Sequence, residues 1–530
     1  MKNKYHMPLN FIERKNSKIS LLCSIAALIF LFLTFYLIDY NLIRKPAILA
    51  QKQAEAEKKE EEKYMNTTFV SEASVIAVGD NLYHGTLLDS GKQDTGAWNY
   101  DHIYQHVLPE IQAADIALID QETVLTTDHT AVSSYPSFAT PTEVGDAIIK
   151  AGFNVIESAS NHIDDYGYVY MEETLNFWKT NYPEALILGV HETEEDADAV
   201  KTKTVNDITF AFLDYTYGTN GAGAGEGKEF MIDVFDKDRV TKMVKKAKEC
   251  SDVVIFVAHW GNEDQQMPSE YEKEWATFLM QQGVDVVIGG HPHVIQPYGT
   301  LSDEQGNSML IYYSLGNFVS TQQEMPELLE GMASFKVRKT TFRGETTIEI
   351  LEPELKPMVM HYNDSTGEYG PYMMEDYTEE LASQHSIREL IGDKFTLENL
   401  KALFSEVLSV NVMPSDKTYL LNVSYEWDGS MIDKTSKNQV DDVDSITLDQ
   451  YLSKLGVVSV LNGGSGTTTA TTGAADTASS SGSNDSYNDS NGSYSSYDSY
   501  YNDSYSGYSS YNSYNTYSYD SYGYSYGDSY

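Results

Sequence analysis

Two histidines stand two positions apart directly after an apolar run, and their types and spacing suit metal binding. His291 and His293 follow the run 284–288, from which two glycines separate them. In an extended segment alternate side chains project to one face, so both imidazoles could reach the same ligand. Neutral imidazole binds borderline metals such as zinc, iron and manganese. An isolated pair of this kind is more typical of an ordinary turn, so the interpretation depends on how other apolar runs end.

Several other apolar runs also end in residues that can bind metals or move protons. These residues are Asp80, Glu122, Asn161, His162, Asp165, His259, Glu263 and Asn317. Each alone could be a helix cap, a surface carboxylate or a packed core side chain. In α/β sheets, however, ligands bind beyond the carboxyl ends of the strands, where such loops meet. Residues of these types follow several successive strands, and this repetition predicts that they form one metal site.

Short β-branched runs alternate with helical patterns through the middle of the chain. The runs are 75–78, 116–119, 154–156, 209–213, 253–257, 284–288 and 310–313, and the helical patterns are 141–151, 167–179, 236–250 and 269–282. This alternation predicts an α/β domain with buried strands. The segment 333–351 differs and predicts a hairpin that turns at Arg343 and Gly344.

The N-terminus carries a predicted membrane anchor. Residues 19–38 are uncharged and apolar, which is long enough for a helix to cross about 30 Å of hydrocarbon. Lysine and arginine are more frequent before this run than after it, which predicts a cytoplasmic N-terminus (1–18) and an extracellular main domain. A cleaved signal peptide is the alternative, although the apolar core is long for one. Residues 39–70 predict a charged, helix-favouring stalk.

The net charge excludes one class of partner, and the composition distinguishes the C-terminal part from the rest of the chain. The net charge of −43 argues against nucleic acid as a partner, because phosphate neutralisation requires a basic surface. From residue 463 to 530 the chain is rich in Tyr, Ser, Gly, Asn and Asp, a composition that predicts a disordered tail. Residues 376–462 predict a small helical addition to the main domain at 71–375.

The ordered motifs resemble a known family. In this sequence they are GDN, DQE, SNHIDDYG, HWGNED, GGHPHVIQP and YSLGNF, between residues 79 and 318. As a set they look like the CapA family of poly-γ-glutamate capsule synthesis proteins, within the calcineurin-like metallophosphoesterase superfamily. The resemblance implies a four-layer αββα sandwich of two mixed sheets. It also implies a site for two divalent metal ions, of manganese, iron or zinc.

The resemblance assigns roles to residues that match the motifs. Asp80 would bind the first metal and Glu122 would bridge both, whereas Asn161 and His259 would bind the second. His291 and His293 would each bind one of the two metals. His162 would be a general acid or phosphate-orienting group, with Asp165 fixing its tautomer. Glu263 and Asn317 would line the site. The chain departs from the superfamily's Asp-x-His motif, because Leu82 stands where the histidine would be.

These expectations combine into a membrane-anchored extracellular protein with a metal-dependent hydrolase site. It would synthesise or process a cell-surface polymer such as poly-γ-glutamate, together with membrane synthase subunits. One alternative is a non-catalytic accessory subunit that binds or guides the exported polymer. The other is a surface phosphoesterase or nucleotidase, although no separate substrate-recognition domain is evident in the sequence.

Overall fold

A long helix at the N-terminus leads directly into the first strand. The computed structural model describes residues 9–221, 223–409 and 418–421. The helix comprises α1 (Leu9–Asp39), a π-helical turn (Tyr40–Arg44) and α2 (Lys45–Met65). The tail predicted at 463–530 and the part of the predicted helical addition at 422–462 lie outside the described residues.

The remaining elements follow in chain order. They are β1 (Thr68–Asn81), α3 (Gly85–Ser90), α4 (Leu108–Ala113), β2 (Ile116–Asp120), β3 (Val124–Thr126), β4 (Ala139–Pro141), α5 (Thr142–Ala151), β5 (Val155–Glu157), α6 (Tyr168–Asn181), β6 (Leu186–Ile187), α7 (Glu194–Ala197), β7 (Lys201–Val205), β8 (Ile208–Thr216), α8 (Lys237–Cys250), β9 (Val253–His259), α9 (Glu270–Gln282), β10 (Val286–Gly290), β11 (Tyr298–Asp303), β12 (Ser308–Tyr312), β13 (Asn317–Val319), β14 (Leu329–Phe342), β15 (Glu345–Asn363), β16 (Glu368–Met373), α10 (Glu379–Gln384), α11 (Arg388–Ile391), α12 (Leu397–Leu408) and β17 (Thr418–Leu421). Each predicted strand and helix has a counterpart, and β14 and β15 form the predicted hairpin about Arg343 and Gly344.

Within the described residues, one helix, inside Ser17–Met65, is long and apolar enough to cross a membrane. Its apolar side chains are exposed, which is consistent with a membrane anchor. From Gln51 onward α2 is rich in charged residues, and it passes into β1 through a tight connection. There Asn66 and Thr67 donate backbone hydrogen bonds to the last helical turn, and the Tyr64 ring lies 5.1 Å from the Phe69 ring.

Two mixed sheets form the body of the domain. The first has the order β16-β15-β14-β1-β2-β5-β6, with β13 also paired to β1. In it β1, β2, β5 and β6 are parallel, and β14 runs antiparallel to β1. The second has the order β17-β11-β12-β10-β9-β8-β7, with β8, β9, β10 and β12 parallel. Parallel strands place their carboxyl ends at one edge, where the site lies.

The alternation of buried side chains along β9 shows how the layers pack. Ile255 and Val257 belong to the core between the two sheets, whereas Phe256 and Ala258 pack with α8 and α9 on the outer face. On the first sheet, α5 and α6 contribute buried residues such as Ile148 to the core. Strands buried on both faces explain why these runs are continuously apolar. The predicted α/β sandwich of two mixed sheets with flanking helices is confirmed.

Candidate metal centre

Strands of both sheets end at the candidate centre. In the first sheet, Asp80 at the end of β1 pairs in register with Asp120 of β2, which in turn pairs with Glu157 of β5. In the second sheet, Gly290 of β10 pairs with His259 of β9. Asp80 also pairs with Asn317 of β13. The register of the strands thus places residues that are far apart in sequence beside one another.

Two glycines allow the backbones to approach closely behind these side chains. A Cβ atom on Gly79 would lie 1.8 Å from the carbonyl oxygen of Gly316. A Cβ atom on Gly289 would lie 1.9 Å from the carbonyl oxygen of Tyr313. Only glycine fits at such distances. Gly79 and Gly289 therefore allow the segments that carry Asp80 and His291 to pack closely against the neighbouring backbone.

The histidine pair adopts a conformation that the sequence did not predict. His291 and His293 have φ angles of 93° and 59°, so the expectation of an extended segment is wrong. The chain bends because the backbone N–H of His291 donates to both oxygens of Asp80, at 3.2 and 3.3 Å. The Nδ1 atom of His293 lies 2.9 Å from Oδ2 of the same carboxylate. Strained non-glycine residues of this kind concentrate at functional sites.

His259 lies where lone pairs converge. Its Nδ1 donates to Oδ2 of Asp120 at 3.0 Å, which leaves the lone pair of the neutral ring on Nε2. That Nε2 lies 2.8 Å from Oδ1 of Asn161 and 3.8 Å from Oε1 of Glu122. Burial lowers the pKa of His259, which favours the neutral ring. Three electron-pair donors facing one point are the arrangement that a divalent cation requires.

The potential ligands form two adjacent groups. Asp80, Asp120 and His259 each offer one ligand atom within 4.8 Å of the others, and so do Glu122, His291 and His293. The imidazole centroids of His259 and His291 are 4.9 Å apart, so the two groups adjoin. All of these side chains are buried. Their oxygen and nitrogen donors suit manganese, iron or zinc.

Six carboxyl groups are buried around the strand ends. They are Asp80, Asp120, Glu122, Glu157, Asp214 and Glu330. Every one except Asp80 has at least one oxygen without a hydrogen-bond partner among the described residues. No lysine or arginine is buried in the described part of the chain. Because an unpaired buried carboxylate is costly, these orphaned oxygens fit divalent metal ions.

His162 and Asp165 form a separate pair beside the potential ligands. The imidazole Nδ1 donates to Oδ2 of Asp165 at 2.7 Å, and the same oxygen accepts the backbone N–H of Phe138 at 2.7 Å. The Phe138 ring meets the His162 ring edge to face at 4.8 Å. This arrangement fixes the ring and directs Nε2 away from Asp165. Although burial alone would lower the pKa of His162, Asp165 and Glu122 raise it.

The two predicted lining residues differ in position. Asn317 is fully buried and donates through Nδ2 to the carbonyl oxygens of His293 and Glu327, which holds the histidine loop in place. Glu263 is exposed. Glu122 and Asp80 raise the pKa of His293 to about 10 against the effect of burial, and Glu263 adds a smaller contribution. The structure therefore brings together Asp80, Glu122, Asn161, His162, Asp165, His259, His291 and His293, with Asn317 behind them and Glu263 at the surface.

Three residues near the centre were missed by the sequence reasoning. Asp120 contacts His259 and pairs with Asp80, and the signal was its position as the first polar residue after a buried run. Tyr217 and Asn220 follow β8, where a glycine-rich stretch begins. The Tyr217 ring lies 4.6 Å from the His291 ring, and Nδ2 of Asn220 lies 3.4 Å from Nε2 of His162. A polar stretch after a buried strand was the available signal.

The buried acids predict how stability depends on pH without metal. Burial raises the pKa of Glu157 and Glu330 well above the ordinary value, and that of Asp214 to about 7. In the unfolded chain these groups ionise near pH 4, so above that pH the folded state binds protons that the unfolded state has released. Stability therefore falls as pH rises above about 4, and the effect of Asp214 is complete by about pH 7. Glu157 and Glu330 extend the fall above pH 7, and His293, whose pKa is raised to about 10 by Glu122 and Asp80, loses its stabilising proton over the same range. Histidines with lowered pKa, such as His361, are neutral in both states there and do not oppose the trend.

We expect the melting temperature of the metal-free full chain to be lower at pH 9 than at pH 7. Loading with Mn²⁺ should reduce this difference. Burial also raises the pKa of Asp120 and Glu122, and bound cations would keep these two carboxyl groups ionised in the folded state at both pH values. Thermal unfolding followed by circular dichroism measures the difference in melting temperature between pH 7 and pH 9, without and with Mn²⁺. A metal-free protein that is equally or more stable at pH 9 would contradict the electrostatic description of the centre.

Comparison with known proteins finds similarity over the part of the chain that forms the two sheets. Residues 74–322 match the family model described as bacterial capsule synthesis protein PGA_cap. The PGA biosynthesis protein CapA of Bacillus subtilis (strain 168) is 29% identical over 291 residues, which cover 54% of this chain and 73% of the relative. The capsule biosynthesis protein CapA of Bacillus anthracis is 29% identical over 240 residues, covering 44% and 56%. The CapA resemblance of the motifs is confirmed.

Solved structures with a similar arrangement are more distant. A phosphatase from Mycoplasma pneumoniae has a TM-score of 0.32 and 13% identity, and the match covers 55% of this chain and 95% of that one. A putative 5'-nucleotidase from Staphylococcus aureus has a TM-score of 0.35 and 16% identity, covering 54% of each chain. Because these TM-scores are low, the similarity does not indicate a function, and the proposal below depends on the geometry of the centre.

Proposed function

We propose that the chain is a membrane-anchored, divalent-metal-dependent hydrolase that cuts or transfers bonds of a capsule polymer such as poly-γ-glutamate. The observation that carries this proposal is the set of buried carboxylate oxygens without partners beside three imidazoles. A scaffold that only bound a polymer would have no need for so many buried carboxyl groups beside imidazoles. The match of residues 74–322 to the capsule synthesis family model supports capsule polymer as the substrate.

The residues of the chain divide between holding metal and moving a proton. Asp80, Asp120, Glu122, Asn161, His259, His291 and His293 would hold two divalent cations. When bound, such cations polarise the attacked group and activate water at neutral pH. Their charge would also attract an anionic substrate to an acidic domain.

His162 would supply the proton that the leaving group needs. Asp165 holds Nδ1, so Nε2 is the atom that faces the substrate. An imidazole whose pKa is raised by neighbouring carboxylates is protonated often enough to act as a general acid. Asp165 would orient the ring and stabilise its charged form, and Phe138 would shield the pair from water.

The N-terminal helix would place this chemistry outside the membrane. The apolar residues 19–38 would span the bilayer with the N-terminus in the cytoplasm, and α2 would carry the domain above the outer surface. There the domain would meet the exported polymer and the membrane subunits that synthesise it.

The proposal is tested with the full chain purified in detergent, stripped by a chelator and reloaded with Mn²⁺. Poly-γ-glutamate and bis(p-nitrophenyl) phosphate are incubated with both forms, and products are followed by chromatography and absorbance. We expect cleavage of poly-γ-glutamate by the reloaded form and none by the stripped form. Cleavage of the phosphodiester alone would support a surface phosphoesterase. Cleavage of neither substrate would contradict the hydrolase and favour an accessory subunit.

A further inference from the structure

The loop after β8, residues 217–221, lies beside the centre and is called the wall below. The backbone N–H of Tyr217 donates to the carbonyl oxygen of His259 at 2.9 Å, and that of Asn220 donates to the carbonyl oxygen of Asn161 at 2.7 Å. Asp164, which is buried, accepts the backbone N–H groups of Gly221 and Gly223. The loop is therefore tied to two of the segments that carry potential ligands.

A glycine makes this attachment possible. A Cβ atom on Gly221 would lie 2.6 Å from the carbonyl oxygen of Asp164 and 2.7 Å from its Oδ1. Any larger residue would push the loop away from the segment that carries Asn161 and His162. The position of the wall is thus fixed by packing as well as by hydrogen bonds.

Two side chains of the wall face different parts of the centre. The Tyr217 ring lies 4.6 Å from His291, on the side of the potential metal ligands, and is 39% exposed. Nδ2 of Asn220 lies 3.4 Å from Nε2 of His162, on the side of the proposed acid. A substrate whose cleaved bond lies between the metals and His162 would pass both side chains.

The chemistry of the wall selects an uncharged polar group. The phenol hydroxyl of Tyr217 is uncharged at neutral pH and can donate a hydrogen bond. The carboxamide of Asn220 offers one acceptor and two donors, which complement the C=O and N–H of an amide. Neither residue can neutralise a phosphate or a carboxylate.

We infer that Tyr217 and Asn220 position the substrate by hydrogen bonding to an amide next to the cleaved bond of the polymer. This inference rests on the proposed hydrolase function. The wall recognises the repeating amide of the polymer, which a simple phosphate ester lacks. Tyr217 and Asn220 thereby distinguish an amide-linked polymer from a small phosphoester.

The variants Tyr217→Phe, Asn220→Ala and Asn220→Asp test the inference in the Mn²⁺-loaded full chain. Each removes hydrogen-bonding capacity and should raise KM for a poly-γ-glutamate oligomer about threefold to tenfold. The amount of bound Mn²⁺ and the inhibition constant of inorganic phosphate should stay unchanged, because phosphate would bind at the metal ions and not at the wall. Tyr271→Phe is the matched control, since Tyr271 has nearly the same exposure (40%) on α9 and should leave KM unchanged.

The outcomes separate this inference from the proposed function. If the wild-type chain cleaves the oligomer and the variants have the same KM as the wild type, the wall does not bind the substrate. Only the inference then fails. An equal change in phosphate inhibition or bound Mn²⁺ would show that the loop merely supports the centre, which also overturns it. If the wild-type chain does not cleave the oligomer, the proposed function fails and the inference fails with it.

Discussion

Replacing His291 and His293 together with alanine is expected to remove divalent metal from the protein and abolish hydrolysis. The two imidazoles belong to one group of potential ligands with Glu122, and His293 is also the partner of Asp80. Loss of a residue that only supports a ligand typically lowers metal affinity 10- to 100-fold, so loss of two ligands should exceed about 100-fold. Elemental analysis after dialysis against micromolar Mn²⁺ measures the bound metal.

A double substitution of two other histidines is the matched control. His102 contacts Ser90, and His129 stacks on Trp98, so neither reaches the centre. His102→Ala with His129→Ala should leave the metal content unchanged. Circular dichroism shows whether both proteins are folded. A folded His291→Ala, His293→Ala protein that binds as much metal as the wild type would show that the histidine pair is not part of a metal site.

The second large effect is expected for His162→Ala, which should retain metal and lose catalysis. A positioned acid contributes about 10²- to 10⁴-fold, so kcat for poly-γ-glutamate should fall by that factor. His162 lies outside both groups of potential ligands, and its Nδ1 is already engaged by Asp165. Initial rates at saturating substrate measure kcat, and elemental analysis measures metal on the same sample.

Two companion measurements make this result specific. Asp165→Asn keeps the shape of the pair but removes the charge that raises the pKa of His162, so its kcat should fall by less. A leaving group that needs no proton, such as p-nitrophenolate, should reduce the effect of His162→Ala. If His162→Ala kept the wild-type kcat on poly-γ-glutamate, another group would have to supply the proton.

The buried parallel strands could be predicted from the sequence because both of their faces are covered. Apolar residues are then continuous along the strand, as in β9, and the signal is strong. The edge strand β7 was missed because its residues are half-buried or exposed in alternation and mostly polar. Short strands such as β3, β4 and β13 carry too few residues to show any period.

The residues of the centre could be predicted because several strands end at the same edge, but their geometry could not. The positive φ angles of His291 and His293 depend on hydrogen bonds to Asp80, which is more than 200 residues away. Asp120 acquires its place only through strand register with Asp80. Tyr217 and Asn220 lie in a glycine-rich loop whose path is set by Asp164. Contacts between distant segments of this kind leave no local pattern.

Two divalent cations are expected to bind at the shared edge of the two sheets. Anomalous diffraction at the manganese absorption edge, from crystals of the chain grown with Mn²⁺, would locate them. We predict two anomalous peaks about 3.5–4 Å apart, one beside Asp80, Asp120 and His259 and the other beside Glu122, His291 and His293. A map without a peak at this edge, or with manganese only at exposed surface carboxylates, would contradict the account.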